Sequence, residues 1–156
     1  MRSVQSVFVN ISAACVLTVS SSGALYAGQP KDPCTLLTVA QVSAELKAPV
    51  GAGMSTTADH TGCAWHTSSG ASQMVTLQVL DASKVFTSGT THLLGVSTSS
   101  VRGLGDEAAY ATMGNMTRLS VKKGAVGFVI RIYGEPNQDR QMAIEKALAA
   151  KVLAKL

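Results

Sequence analysis

Residues 107–133 read EAAYATMGNMTRLSVKKGAVGFVIRIY, and this stretch decides the fold. Three β segments, about 107–113, 116–122 and 125–132, are joined through Gly114-Asn115 and Lys123-Gly124, short glycine-containing connections of the kind hairpins prefer. In the last segment Val126, Phe128, Ile130 and Ile132 share one face, and Gly127, Val129, Arg131 and Tyr133 share the other. The alternation predicts an antiparallel meander.

Downstream, Gly134-Glu135-Pro136-Asn137 breaks the strand, and Asn137 caps a final helix with Asp139 in its first turn. Met142, Leu148, Ala149, Val152, Leu153 and Leu156 fall in one broad apolar stripe, with Ala143, Ala147, Ala150 and Ala154 largely opposite. Glu145 falls inside that stripe, where a partner such as an arginine on the sheet would explain it. Upstream, Gln73 to Leu80 alternates as a strand with Val75, Leu77 and Val79 on its apolar face, and Cys63 to Thr67 reads as a shorter one. Thr38 with Gln41 three residues on is a capping box that opens a helix over about 38–47, and Pro49, Gly51 and Gly53 end it, leaving a loop to Gly62. Asp81 can cap a short helix through Phe86, and the Ser/Thr/Gly-rich stretch 87–100 reads as a loop. The order α-β-β-α-β-β-β-α groups strands in runs, which is the α+β class. The expected assembly is an antiparallel sheet of about five strands, with the C-terminal helix packed on one face and the N-terminal helix linked by a disulfide.

Composition narrows the function. The chain has 156 residues, enough for one domain with its own core, and its formal charge is +4. Arg102, Arg118, Arg131 and Arg140 are scattered, Lys122-Lys123 is the one basic doublet, and aromatic residues are few, so neither a phosphate-tracking run nor a base-stacking platform exists and nucleic-acid binding is excluded. Met1 to Ala27 carries Arg2, an apolar stretch from Val7 to Val19 and a small-residue end, the pattern of a secretory signal peptide cleaved to leave a domain over 28–156. The apolar stretch, broken by Asn10 and Ser12, is too short for a stable membrane span. The expected location is therefore secreted or periplasmic.

With the signal peptide removed, Cys34 and Cys63 are an even pair in an oxidising compartment, and they predict a disulfide. Closing that loop stabilises the fold by roughly 3–4 kcal/mol in the chain-entropy treatment.

The Gly/Ser and His/Glu patterns of known hydrolases and the dinucleotide fingerprint are missing, so no catalytic residue and no cofactor is expected. Asp106, Glu107 and Asp81 read as solvated turn carboxylates, because neighbouring strand residues point to opposite faces. The sharpest alternative is a metal site, since Asp59-His60-Thr61-Gly62-Cys63-Ala64-Trp65-His66 sets His60 and His66 three residues either side of a cysteine, with Cys34 as a fourth donor. Against it, a strand sends both histidines to the face opposite Cys63. His92 reads as a solvated loop residue.

Asp32-Pro33-Cys34-Thr35-Leu36-Leu37, Gly62-Cys63-Ala64-Trp65 and Val101-Arg102-Gly103-Leu104-Gly105-Asp106-Glu107-Ala108 resemble a group of small secreted or lipid-anchored bacterial proteins of unknown function, including actinobacterial cell-envelope lipoproteins. The resemblance implies an exported α+β domain with paired cysteines and no established activity. The chain departs from the lipid-anchored members at Cys15, where Ser12 occupies the position at which an aliphatic residue is expected. The reading reached from sequence is an exported, non-enzymatic envelope domain binding a partner protein or a small ligand. A metal-binding protein using His60 and His66, with or without the cysteines, is the alternative, and a small hydrolase the third.

Overall fold

The computed structural model describes residues 31–68, 72–86 and 95–156. The segment assigned to the signal peptide, Cys15 within it, and His92 lie outside those residues. The elements are α1 (Pro33–Leu36), α2 (Val39–Leu46), β1 (Met54–Ser55), β2 (Gly62–His66), β3 (Met74–Asp81), β4 (Val96–Ser100), β5 (Glu107–Met113), β6 (Met116–Lys123), β7 (Val126–Tyr133) and α3 (Gln138–Leu153). The strands form one sheet in the order β1-β2-β3-β7-β6-β5-β4, antiparallel throughout.

The expectation of about five strands is corrected to seven. Both additions are edges. β4 has the sequence VSTSS and is exposed over most of its length, so it shows no apolar alternation and reads as a loop. β1 is two residues long and pairs with β2 inside the stretch assigned to a loop after Pro49. Edge strands need backbone pairing on one side only, and short polar ones are a common way of blunting a sheet edge. Residues 82–86 form turns where a helix was expected: Asp81 accepts from the Ser83 N–H (2.8 Å), and the Lys84 N–H returns to the Asp81 carbonyl (2.9 Å).

Local signals explain the remaining ends. The capping box of α2 is complete, with Gln41 N–H donating to Thr38 Oγ1 (3.2 Å) and Thr38 N–H to Gln41 Oε1 (2.9 Å). Asn137 caps α3 by accepting from the Arg140 N–H (2.9 Å). Gly114 and Gly124 each take φ +58° at the first loop residue, as a type II′ hairpin requires.

All three helices among the described residues lie against one face of the sheet. That face carries Val75 and Leu77 of β3, Phe128 and Ile130 of β7, and Leu119 and Val121 of β6, all completely buried beneath Leu148 and Val152 of α3. At its β2 side the Cys34–Cys63 disulfide (S–S 2.01 Å) ties α1 to the sheet. Gly53 passes so close to this corner that a Cβ there would come within 2.8 Å of Cys63 Sγ. Lys151 of α3 pairs with Glu45 of α2 at 3.1 Å, and Arg140 donates to the Leu46 carbonyl at 3.1 Å, joining the helical layer to itself. No described helix is long and apolar enough to cross a membrane.

Candidate ligand-binding cleft on the helix-free face

The register orders the opposite face into rows that cross the sheet. Met74, Tyr133, Met116, Met113 and Val96 form the outermost, followed by Thr76, Arg131, Arg118, Ala111 and Thr98, and then Gln78, Val129, Ser120, Ala109 and Ser100. Ala111 of the second row leaves space beside the arginines, while Met113, Met116 and Tyr133 line the outer rim. At the far end the 82–86 turn folds over this face: Val85 is completely buried, and a Cβ on Gly127 would come within 2.7 Å of Val85 Cβ.

A break in the β6–β7 ladder turns this face into a cleft. Pairing runs from Lys123↔Val126 to Leu119↔Ile130 and stops, although both strands continue by three residues. Hydrogen-bonded pairs alternate along an antiparallel ladder, so Thr117 and Ile132 would be the next pair to exchange N–H···O bonds. Two α3 residues one turn apart lie beneath this gap. Gln141 Oε1 accepts from the Thr117 N–H (3.1 Å) and hydroxyl (3.0 Å), while its amide donates to the carbonyls of Asn115 (2.9 Å) and Glu135. Glu145 directs its carboxyl at the Ile132 N–H and the Thr117 hydroxyl, although neither oxygen closes a full hydrogen bond. The opening has a volume of about 340 Å³, and its walls include Val96, Met113, Met116, Arg118, Arg131 and Tyr133.

The electrostatics are those of two cations above one buried acid. Arg118 is 8% exposed, and burial followed by the neighbouring Arg131 charge lowers its pKa. Arg131 is half-buried and donates to the Tyr133 hydroxyl at 3.4 Å. Glu145 is 0% exposed. Burial pushes its pKa up to about 8, against smaller opposing effects of Thr117, the Ile132 backbone and the Arg131 charge. Tyr110 is raised to about 12 by burial and then by the charge of Glu145, and its hydroxyl donates to the Met142 carbonyl at 2.6 Å.

The residues singled out from sequence lie elsewhere. Both cysteines are consumed by the disulfide, so neither offers a thiolate. His60 sits before β2 with φ +54°, and His66 ends that strand. The extended chain from Gly62 to His66 alone spans about 13 Å, which keeps the two imidazoles apart. No group of three or more His, Cys, Asp or Glu that could hold a metal occurs among the described residues. Asp106 and Asp81 are turn carboxylates. Asp106 accepts from the Gly124 N–H (2.6 Å) and pairs with Lys123 (3.6 Å), and that N–H first and the lysine after it hold its pKa low. Glu107 is exposed opposite Lys122, three residues of strand from the cleft. Glu135 is buried but occupied by Arg140 at 3.3 Å.

Arg118 and Arg131 were not recognised as a site from sequence. The signal that could have found them is the hairpin turn: a two-residue loop at Gly124-Ala125 sets Arg118 opposite Arg131, whereas a loop at Lys123-Gly124 sets it opposite Val129. No protein-family model and no curated protein sequence matches this chain.

Proposed function

We propose that this chain is an exported, non-enzymatic domain of the bacterial envelope that binds a small ligand in the cleft on its helix-free sheet face. The observation that carries the reading is the interrupted β6–β7 ladder, which places two guanidinium groups and a methionine-rich rim around one opening. Concave sites with apolar walls and a few convergent polar groups are the usual form of small-molecule sites. The disulfide supports a destination where thiols are oxidised, as does the signal-like N-terminus.

The test uses protein with ¹³C-methyl methionine, whose Met113 and Met116 signals are assigned by replacement with leucine. Titration with octanoate, octyl phosphate and octyl glucoside should move those two methyl signals before those of Met54 and Met142. Shifts confined to methionines outside the cleft would overturn the reading.

A further inference from the structure

Resting on that reading, we infer that the cleft takes an organic oxyanion, a carboxylate or phosphate monoester on an alkyl body, and that Glu145 beneath the sheet competes with it for Arg131. The head-group assignment follows from the second row. Arg118 and Arg131 stand on the same face of adjacent strands, one step past the last ladder pair, with Ala111 and Thr98 beyond them and no acidic side chain in the row. Two guanidinium forks converging on one opening suit the oxygens of a carboxylate or phosphate, which would also relieve their mutual repulsion. The body follows from the first row. Met113 and Met116 are 47% and 50% exposed, an unusual expense of apolar surface beside two cations, and with Val96 and Tyr133 they offer flexible apolar contact to a short chain.

Glu145 supplies the competing charge from the helical side. It is completely buried, aimed at the split pair Thr117/Ile132, and those two residues also line the cleft, so one layer of backbone separates the carboxyl from the ligand position. The groups bearing on Glu145 can be named by element. β7 provides Arg131, and β5 provides Tyr110. β6 provides the Thr117 hydroxyl and carries Arg118 at the cleft, while Glu45 of α2 is paired with Lys151. A protonated Glu145 leaves the Arg131 charge to the ligand. An ionised one draws that charge toward itself and repels an incoming oxyanion.

Calorimetric titration of the exported, disulfide-bonded protein at about pH 6.5 and pH 9.0 tests this, with octanoate, octyl phosphate and octyl glucoside below their aggregation limits. Octanoate is the reference because its charge is constant between those values, and octyl phosphate separates phosphate from carboxylate recognition. Both anions should bind at least tenfold more tightly than the glucoside at pH 6.5. Octanoate affinity should fall about tenfold at pH 9.0, equivalent to about 1.4 kcal/mol. Glu145→Gln should keep the pH 6.5 affinity at pH 9.0, and Arg131→Gln should lose the anion preference. Equal affinity for the glucoside, with Met113 and Met116 still shifted, would overturn the oxyanion inference and leave the cleft reading intact. No shift of either methionine with any probe would overturn both. An unchanged pH dependence in Glu145→Gln would overturn the competition. If that variant does not fold, Glu145→Met carries the same test, since pH dependence retained without the carboxyl is equally contradictory.

Discussion

Arg118 and Arg131 occupy the same face of neighbouring strands immediately past Leu119↔Ile130, where the β6–β7 ladder ends. Had the ladder continued, the pair would lie on a flat, closed sheet. Because Gln141 takes the Thr117 N–H from below and Glu145 is buried beside it, the two arginines flank an opening instead. A helix with polar side chains at two successive inward positions thus creates the feature on the opposite side of the sheet.

The Arg118 guanidinium is disfavoured by burial and by the neighbouring Arg131 charge. Arg131→Met retains the stem that covers the sheet and removes one charge. At pH 6 its urea unfolding free energy should be higher than wild type by about 0.5 kcal/mol, the scale of an exposed charge pair, and anion binding should be lost. A destabilised variant would show that Arg131 is a structural cation.

The pH dependence of stability follows from Glu145. Its folded-state pKa, about 8, lies above its unfolded value, so the native state holds the proton where the unfolded state has released it. This contribution is fully present below about pH 4.5 and declines as pH rises through about 8. Denaturant midpoints should therefore fall between pH 5 and pH 9, and Glu145→Gln should flatten that fall and be the more stable protein at pH 9. An unchanged slope would remove the buried acid from the account.

Reduction separates the scaffold from the site. The disulfide closes a loop with a sequence separation of 29, and Cys34→Ser with Cys63→Ser should lower the unfolding free energy by roughly 3–4 kcal/mol. Chemical denaturation of the oxidised and doubly substituted proteins measures the difference. Because the cleft residues lie on β4 to β7, methionine methyl spectra of any folded double variant should retain the Met113 and Met116 shifts.

The 82–86 turn is held against the sheet where Gly127 admits Val85. A methyl group at position 127 would meet Val85 Cβ at 2.7 Å, so Gly127→Ala should destabilise by about 1–3 kcal/mol through overpacking. Thermal unfolding monitored by circular dichroism measures this, and pairing it with Val85→Ala, which removes the Cγ1 and Cγ2 contacts at 3.1 and 3.2 Å, should recover part of the loss. Full additivity of the two losses would show that the residues do not share one contact.

Much of this architecture was legible in the residues, and the failures have identifiable physical causes. Alternation over 107–133 and the Thr38–Gln41 capping box correspond to strands and a helix because local chemistry and tertiary burial agree there. β4 was hidden because Val96–Ser100 is an exposed edge, where pairing on one side suffices and side chains carry no pattern. Glu145 was conspicuous as an acid in an apolar stripe, and Arg131 does act on it from the sheet, but only as a distant charge. The arginine pair lay one hairpin placement away from recognition: register is a relation between strands, and moving the turn by one residue changes every partner.

The most direct measurement is a crystal structure of the oxidised protein grown with octanoate below pH 7. The carboxylate is expected within hydrogen-bonding distance of both Arg118 and Arg131, with the alkyl chain against Met113 and Met116. A carboxylate bound elsewhere, or an alkyl chain in the cleft with its head group turned away from both guanidiniums, would contradict it.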